Sequence, residues 1–175
     1  MSWADHINVL SKKINQRLGL IKRVKYLLPL HARLTLYNSL ILPLFDYGDI
    51  VWGDKNNTVL TEHLQVLQNN AALLMLDLPH IQSSASQALN QLNWKPLIFR
   101  RRYHRCVAIL KCLNNLVNFH FNLKKNKDIH DHDTRRRDNL HLPFARTNRG
   151  KQRFVFSSLV DWNSLESDVK STSNF

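Results

Sequence analysis

The feature that most constrains how this chain can fold is one long helical pattern that carries no Lys or Arg. Apolar residues recur in it every four or three positions and so share one face of an α-helix: Leu60, Leu64, Leu67, Ala71, Leu74 and Leu78. Thr58 or Thr61 can cap this helix, and Pro79 ends it. Because no Lys or Arg occurs between residues 61 and 94, the pattern predicts a buried central helix against which other helices pack.

The same periodicity predicts further helices over residues 3–28, 30–47, 83–92 and 97–117. Pro43 should kink or split the second of them. The first has a complete apolar stripe, formed by Ile7, Leu10, Ile14, Leu18 and Ile21. The predicted inner side of the last consists of Ile98, Tyr103, Val107, Leu110 and Val117. Together with the central helix, these segments predict a mainly α fold, a bundle of about five helices.

The last third of the sequence changes character. Residues 118–138 are polar and rich in Lys, Arg and His, which is typical of a basic linker or a mobile loop. Residues 140–144 and 154–156 have strand character with a turn at 147–150, so we expect a small β-hairpin, followed by a helical turn at 161–170. The predicted organisation is a helical domain, a basic linker and a small C-terminal segment, at residues 1–117, 118–138 and 139–175.

The charge of the chain bears on its partners rather than on its fold. The formal net charge is +12 and the pI is about 10.1. This surplus favours binding to phosphate backbones or anionic membranes over a role in solubility alone. The longest apolar run, residues 34–45, is too short to span a bilayer. Because the surplus is so large, RNA, DNA or an RNA–DNA hybrid is the expected partner. The residues expected to contact phosphates are Lys12, Lys13, Arg17, Arg23, Arg101, Arg102, Arg105, Arg135, Arg136 and Arg137.

Aromatic side chains near these basic clusters have two possible roles. They can stack on unpaired bases, or they can belong to the core. We expect core positions for Trp52, Trp94 and Trp162, whereas Tyr103 and Phe144 are open to either role.

The sequence contains no residue pattern that predicts catalysis, a metal or a cofactor. Nucleotidyl transfer needs paired carboxylates that hold two metal ions, whereas Asp46 and Asp49 are isolated at a predicted helix end. His130, His132 and His141 do not match the ligand spacing of a zinc finger or knuckle. Phosphate-binding glycine loops and nucleophile elbows are also missing from the sequence. We therefore expect a non-catalytic protein.

The two cysteines indicate a reducing compartment. Cys106 and Cys112 are six residues apart on a predicted helix and would not face each other. The N-terminus lacks the apolar run of a signal peptide, so the expected location is the nucleus, the cytoplasm or both. For Cys106 we favour an inner helix position over a reactive thiol whose pKa is lowered by Arg105.

Nine segments, in their order along the chain, resemble the region after the catalytic domain in reverse transcriptases of jockey-like and chicken-repeat-like non-LTR retrotransposons. The most distinctive is LYNSLILPLFDYGDIVWG at residues 36–53. The others are WADHI (3–7), KKINQRLGLIKR (12–23), LQVLQNNAA (64–72), LNWKPLIFRRRY (92–103), KCLNNL (111–116), TRRRDNLHLP (134–143), RTNRGK (146–151) and WNSL (162–165). The resemblance covers essentially the whole chain. The sequence departs from the family at Glu166, where proline is usual, and lacks the family's occasional zinc knuckle.

The resemblance implies a thumb-like helical domain and the segment that follows it. In such polymerases the thumb helices hold the template–primer duplex, and the tail is thought to help engage template RNA or target DNA. The palm aspartates and the endonuclease of the parent polyprotein would lie upstream, so the resemblance implies no polymerase activity for this chain. The alternative is a piece that docks on the missing palm and has no free-standing function.

Overall fold

The computed structural model describes residues 3–53, 58–79, 83–117, 123–129, 131–132 and 135–171. This part of the chain is mainly helical, as the periodicity predicts, and it contains no β-strand. Its helices are α1 (Ala4–Val24), α2 (Leu30–Leu36), α3 (Leu42–Asp46), α4 (Asp49–Trp52), α5 (Thr58–Leu76), α6 (Ala85–Gln91), α7 (Leu97–Leu113), α8 (Asn148–Lys151), α9 (Phe154–Asn163) and α10 (Ser167–Ser171). Among the described helices, none is both long enough and apolar enough to cross a membrane.

The chain divides into two compact units, Met1–Arg101 and Arg102–Phe175. The division lies inside α7, so the first residues of that helix belong to the first unit and the rest to the second. Each unit has a hydrophobic core of its own. These units are defined by how compactly the chain packs. They do not test the domain limits predicted at residues 117 and 138, which stay predictions.

The core of the first unit is built on the stripe that the sequence predicts along α1. All five residues of that stripe are buried, which confirms the prediction: Ile7, Leu10, Ile14, Leu18 and Ile21. The central helix α5 contributes Leu64, Leu67, Ala71 and Met75 to the same core. Each fully buried Leu or Ile side chain stabilises the fold by about 1.5–3 kcal/mol. The side chains of Thr58 and Leu60, the predicted cap and first core position, lie outside the described part.

The second predicted helix, residues 30–47, is split where Pro43 requires it. A π turn at Tyr37–Ile41 separates α2 from α3, and Pro43 lies in the first turn of α3. Proline has no amide hydrogen to donate, and the first turn is where a helix tolerates it. Tyr37, at the start of the π turn, is buried and stacks on Trp94 with ring centroids 4.0 Å apart.

The C-terminus of α5 is closed by a left-handed residue. Asp77 has φ 57°, and the amide of Leu78 donates to the carbonyl of Leu73 at 2.9 Å. This arrangement satisfies a carbonyl that would otherwise lack a partner at the helix end. Pro79 follows, as predicted. Helix α6 packs on this end of α5 through a small cluster whose buried members are Ala72, Leu73, Ala88 and Leu89.

The inner face of α7 differs from the predicted one. Ile98 and Tyr103 are exposed, whereas Arg101 and Arg105 retain only 4% and 3% of their accessible surface. The buried row of α7 is Leu97, Arg101, Arg105, Cys106, Ala108 and Ile109. The helix predicted over residues 97–117 is present, and Leu110 packs against the second core as predicted. The predicted inner side was wrong at Ile98, Tyr103 and Val117, because apolar side chains alone were taken to define it, while two arginines lie on it.

The predicted C-terminal β-hairpin is also wrong. Residues 154–156 form the start of α9, and residues 140–144 make a single antiparallel bridge, between Leu140 and Lys125. The buried residues of α9 are Ser157, Ser158, Leu159, Asp161 and Trp162. The hydroxyl of Ser157 donates to the carbonyls of Arg153 and Phe154 in the preceding turn, at 3.2 Å each, which lets this serine be buried in a helix. The aromatic run that resembled a strand is therefore the beginning of an amphipathic helix.

The described part of the predicted linker is folded onto the segment that follows it. The amide of Asn126 donates to the carbonyl of Asn139 at 3.0 Å, and the amide of His141 donates to the carbonyl of Lys124 at 2.8 Å. The core of the second unit consists of Cys106, Ile109, Leu140, Leu159 and Trp162. Residues 118–122, 130 and 133–134 of the predicted linker lie outside the described residues.

Candidate nucleic-acid interface

The outer face of α1 carries basic side chains that the apolar stripe turns toward solvent. Lys12, Lys13 and Arg23 of the predicted set are exposed. Lys22, which the sequence analysis did not single out, is exposed as well. Lys12 and Arg23 lie opposite the stripe, about 16 Å apart along the axis at 1.5 Å per residue. The α1 sequence holds one acidic residue, Asp5, so this face has a positive potential.

Two other basic residues near α1 are engaged within the first unit. Arg17 is half-buried, and its guanidinium donates to the backbone carbonyl of Leu40. Lys25 donates to the carboxylate of Asp77; this hydrogen bond lowers the pKa of Asp77 and raises the pKa of Lys25. The stabilisation from this pair is lost as pH falls through the lowered pKa of Asp77, and again as pH rises through the raised pKa of Lys25.

Arg100 and Arg101 on α7 have different surroundings. Arg100 donates to both carboxylate oxygens of Asp46, at 2.6 Å each, which raises the pKa of Arg100. Arg101 is buried with its guanidinium carbon 4.9 Å from the ring centre of Trp52, a cation–π contact. Gly53 leaves room for it, since a Cβ there would lie 3.0 Å from Cδ of Arg101. Trp52 and Gly53, at the end of the segment 36–53, therefore pack around the side chain of Arg101.

The two predicted arginines of α7 in the second unit also contact protein groups. Arg102 is half-buried and donates to the hydroxyl of Ser164 at 3.0 Å. Arg105 is buried, and its Nε donates to Oδ2 of Asp161 at 2.6 Å. Burial leaves Arg101 and Arg105 almost no surface for the phosphate contacts that the sequence analysis expects of them. A buried guanidinium requires a fixed partner, and both have one within the fold.

Cys106 occupies the inner helix position that the sequence analysis favoured. Its thiol is buried, and burial raises its pKa, with the charge of Asp161 acting in the same direction. The neighbouring Arg105 acts in the opposite direction but does not outweigh these effects. A thiol in such surroundings is protonated at neutral pH and is a weak nucleophile.

The remaining predicted residues, Arg135, Arg136 and Arg137, form a second exposed basic group. The side-chain amide of Asn126 donates to the carbonyl of Arg136 at 2.8 Å, and the amide of Lys127 donates to the carbonyl of Arg137. These bonds hold the backbone of the arginine run while its side chains extend outward. The second unit therefore presents positive charge on a loop rather than on a helix.

Two of the segments that carry the resemblance are joined by one side chain. Nδ2 of Asn163 donates to the carbonyl of Leu140 at 2.8 Å, and its Oδ1 accepts from the amide of Leu140 at 3.0 Å. Trp162 is buried beside them, and Leu165 packs against the same core. These two hydrogen bonds give Asn163 a structural role, because they satisfy both the amide and the carbonyl of Leu140 in a partly buried backbone segment.

The aromatic residues divide between core and surface. Trp52 and Trp162 are buried and Trp94 is half-buried against the first core, which confirms their predicted roles. Tyr103 and Phe144, for which both roles were open, have 66% and 92% of their surface exposed. Neither belongs to a core.

The histidines considered as metal ligands give no geometric basis for a site among the described residues. His132 and His141 are exposed, and the ring of His141 lies 3.3 Å from the side-chain oxygen of Asn126. His130 lies outside the described residues. The expected absence of a metal and of a cofactor stays a prediction.

Comparison of the chain with protein-family models, with curated proteins and with solved structures gives no match. The resemblance to retrotransposon reverse transcriptases therefore rests on the nine sequence segments. Most of these segments contribute buried residues to the two cores, and the structure adds specific contacts at the end of residues 36–53 and at residues 162–165. Support for a function therefore comes from the geometry of the basic surfaces.

Proposed function

We propose that this chain is a non-catalytic nucleic-acid-binding module, the C-terminal piece of a retrotransposon reverse transcriptase. The observation that carries the proposal is the outer face of α1. There Lys12 and Arg23 are exposed opposite the apolar stripe, and Lys13 and Lys22 are exposed on the two flanks of the same helix. A helix of this kind can place Lys12 and Arg23 along a phosphate backbone, with a further cation on either side, without any change in its packing.

Binding of this kind is electrostatic and largely independent of sequence. Each neutralised phosphate releases condensed counterions, so the logarithm of the affinity falls linearly with the logarithm of the salt concentration, by about 0.9 per phosphate on duplex DNA. The exposed Arg135, Arg136 and Arg137 supply a second set of phosphate contacts. Arg101 and Arg105 are left out of the proposed interface because they are buried.

The test is a binding titration with an RNA–DNA hybrid, duplex DNA and single strands across a salt series. The triple variant Lys12→Gln, Lys13→Gln and Arg23→Gln should bind more weakly and with a shallower salt dependence. A matched triple variant removes the same charge from exposed lysines elsewhere, Lys95→Gln, Lys111→Gln and Lys151→Gln. We expect it to lose clearly less. A folded wild-type protein that binds none of these ligands in a salt-sensitive way would refute the proposal.

A second candidate function, docking on the polymerase palm, is favoured by exposed apolar side chains. Val59 and Val66 project from α5, and Ile98 and Phe99 project from the start of α7. Such residues are found at protein interfaces when they form a contiguous patch. Co-expression with a palm domain tests this candidate. A stable complex that is disrupted by Val66→Lys or Phe99→Lys would support docking on the palm. A soluble chain that forms no complex with the palm domain would exclude it.

A further inference from the structure

A groove of about 280 Å³ runs between α1 and the C-terminal half of α5 in the first unit. Its lining includes Asn15, Gly19 and Lys22 from α1, and Asn70 from α5. Lys25 and Asp77 line it as well. Four leucines complete the lining: Leu18, Leu73, Leu74 and Leu78. The groove therefore combines apolar side chains with amide groups, charged groups and a stretch of bare helix backbone at the glycine.

Gly19 is not explained by the packing of the protein itself. Glycine inside a helix destabilises it relative to alanine, because glycine loses more backbone freedom on folding. A Cβ built at Gly19 meets no atom within 4 Å, so the fold does not require the missing side chain. By contrast, a Cβ at Gly53 would meet the Asp49 carbonyl and the Arg101 side chain. A glycine with open space above it, in the wall of a groove, fits the close approach of a group from outside the chain.

The charges around Gly19 favour an anion. Lys22 is exposed one turn further along α1. The carboxylate of Asp77 is neutralised by Lys25, and Arg33 also lowers the pKa of Asp77 through its charge. The positive charges at the groove therefore outnumber the single negative one. The side-chain amides of Asn15 and Asn70 add hydrogen-bond donors that suit phosphate or base edges.

An exposed aromatic ring lies next to one of the lining residues of the groove. Tyr26 has 80% of its surface exposed, and Nζ of Lys25, a lining residue, lies 4.7 Å from the centre of its ring. An exposed ring next to cations is the arrangement on which unpaired bases stack in single-strand binding proteins. Base–aromatic stacking tolerates any sequence, which agrees with the electrostatic binding proposed for the rest of α1.

We propose that this groove binds a single strand of nucleic acid, with a phosphate against the α1 backbone at Gly19 and Lys22, and with a base stacked on Tyr26. The inference rests on the proposed nucleic-acid-binding function and assigns a site and a strand form to it. A duplex presents only paired bases, so it cannot stack a base on Tyr26.

The test measures binding of a labelled twelve-nucleotide single-stranded oligonucleotide to three variants of the full chain. Gly19→Gln fills the space above the helix while favouring the helix itself, so its melting temperature should rise and its affinity should fall at least about tenfold. Tyr26→Ala should lower the affinity by roughly tenfold, the size expected for one stacked base. The matched control is Leu27→Ala, an adjacent exposed side chain, which should bind like the wild type.

The outcomes separate this proposal from the broader one. Wild-type affinity for single strands in both Gly19→Gln and Tyr26→Ala overturns the groove assignment and leaves the general binding function in place. Loss of duplex binding alone in these variants also overturns it. A wild-type protein that binds no nucleic acid at all overturns both proposals. The Gly19→Gln result is informative in each case, because the substitution should stabilise the fold.

Discussion

Helices α1 and α7 both carry clusters of basic residues, yet they use them in opposite ways. On α1 the cations face solvent, since Lys12, Lys13 and Arg23 are exposed. On α7 the corresponding residues are turned inward, since Arg101 and Arg105 are buried against an aromatic ring and a carboxylate. Similar basic clusters in the sequence therefore form an exposed cationic surface on α1 and buried side-chain contacts on α7.

The difference arises from how apolar and basic positions are spaced. On α1 the five apolar positions complete one stripe, so the basic positions are left to the other side. On α7 the arginines lie at the same four-residue spacing as Leu97 and share its buried row. A basic cluster therefore predicts an interface only where a separate apolar stripe already accounts for the packing of that helix.

The strongest test of the comparison is to break the buried ion pair of the second unit. Arg105→Met should lower the free energy of unfolding by about 3–5 kcal/mol, because it leaves the carboxylate of Asp161 buried without its partner. Urea denaturation, followed by circular dichroism, measures this change. The double variant Arg105→Met and Asp161→Leu should recover most of the loss, because no buried charge remains. A single variant as stable as the wild type would contradict the internal role of Arg105.

Glycine substitutions give a second, smaller contrast between a filled site and an open one. Gly53→Ala should destabilise by about 1–3 kcal/mol, because its Cβ overlaps the Asp49 carbonyl and presses on Arg101. Gly19→Ala should stabilise by about 0.5–1 kcal/mol, because the space above α1 is open there. Thermal and urea unfolding of the two variants side by side measure the effects. A Gly53→Ala variant as stable as the wild type would contradict the close contacts of Gly53 with Asp49 and Arg101, and a destabilised Gly19→Ala variant would contradict the open space above α1.

How far the sequence predicts this structure follows from these same residues. The α1 stripe and the split at Pro43 are local patterns, and both are confirmed. The burial of Arg105 depends on Asp161, which is 56 residues away, and no local pattern reveals such a partner. Residues 154–156 were assigned to a strand because a short apolar run has no decisive period. Of the candidate site, the α1 residues could be placed in advance and the α7 residues could not.

Arg102 on α7 is intermediate between the exposed cations of α1 and the buried arginines of α7. It is half-buried and has a hydrogen bond to Ser164 at 3.0 Å. Arg102→Ala should therefore destabilise by about 1 kcal/mol, the size of one ordinary hydrogen bond. Ser164→Ala should cost a similar amount, and the double variant should cost less than the sum of the two. Strict additivity in this cycle would indicate that the two side chains do not interact in solution.

Substitutions on the outer face of α1 should have the smallest effect on stability. The same substitutions should have the largest effect on nucleic-acid binding. Lys12→Gln with Arg23→Gln should change the free energy of unfolding by less than about 0.5 kcal/mol, because both side chains are exposed. If each contacts one phosphate, the salt slope for duplex binding should fall by about 1.8, since each contact contributes about 0.9. Arg105→Gln should do the reverse, lowering stability while the folded fraction keeps the wild-type slope. An unchanged slope in the α1 variant would mean that these exposed cations serve no phosphate contact, and that the two helices differ only in packing.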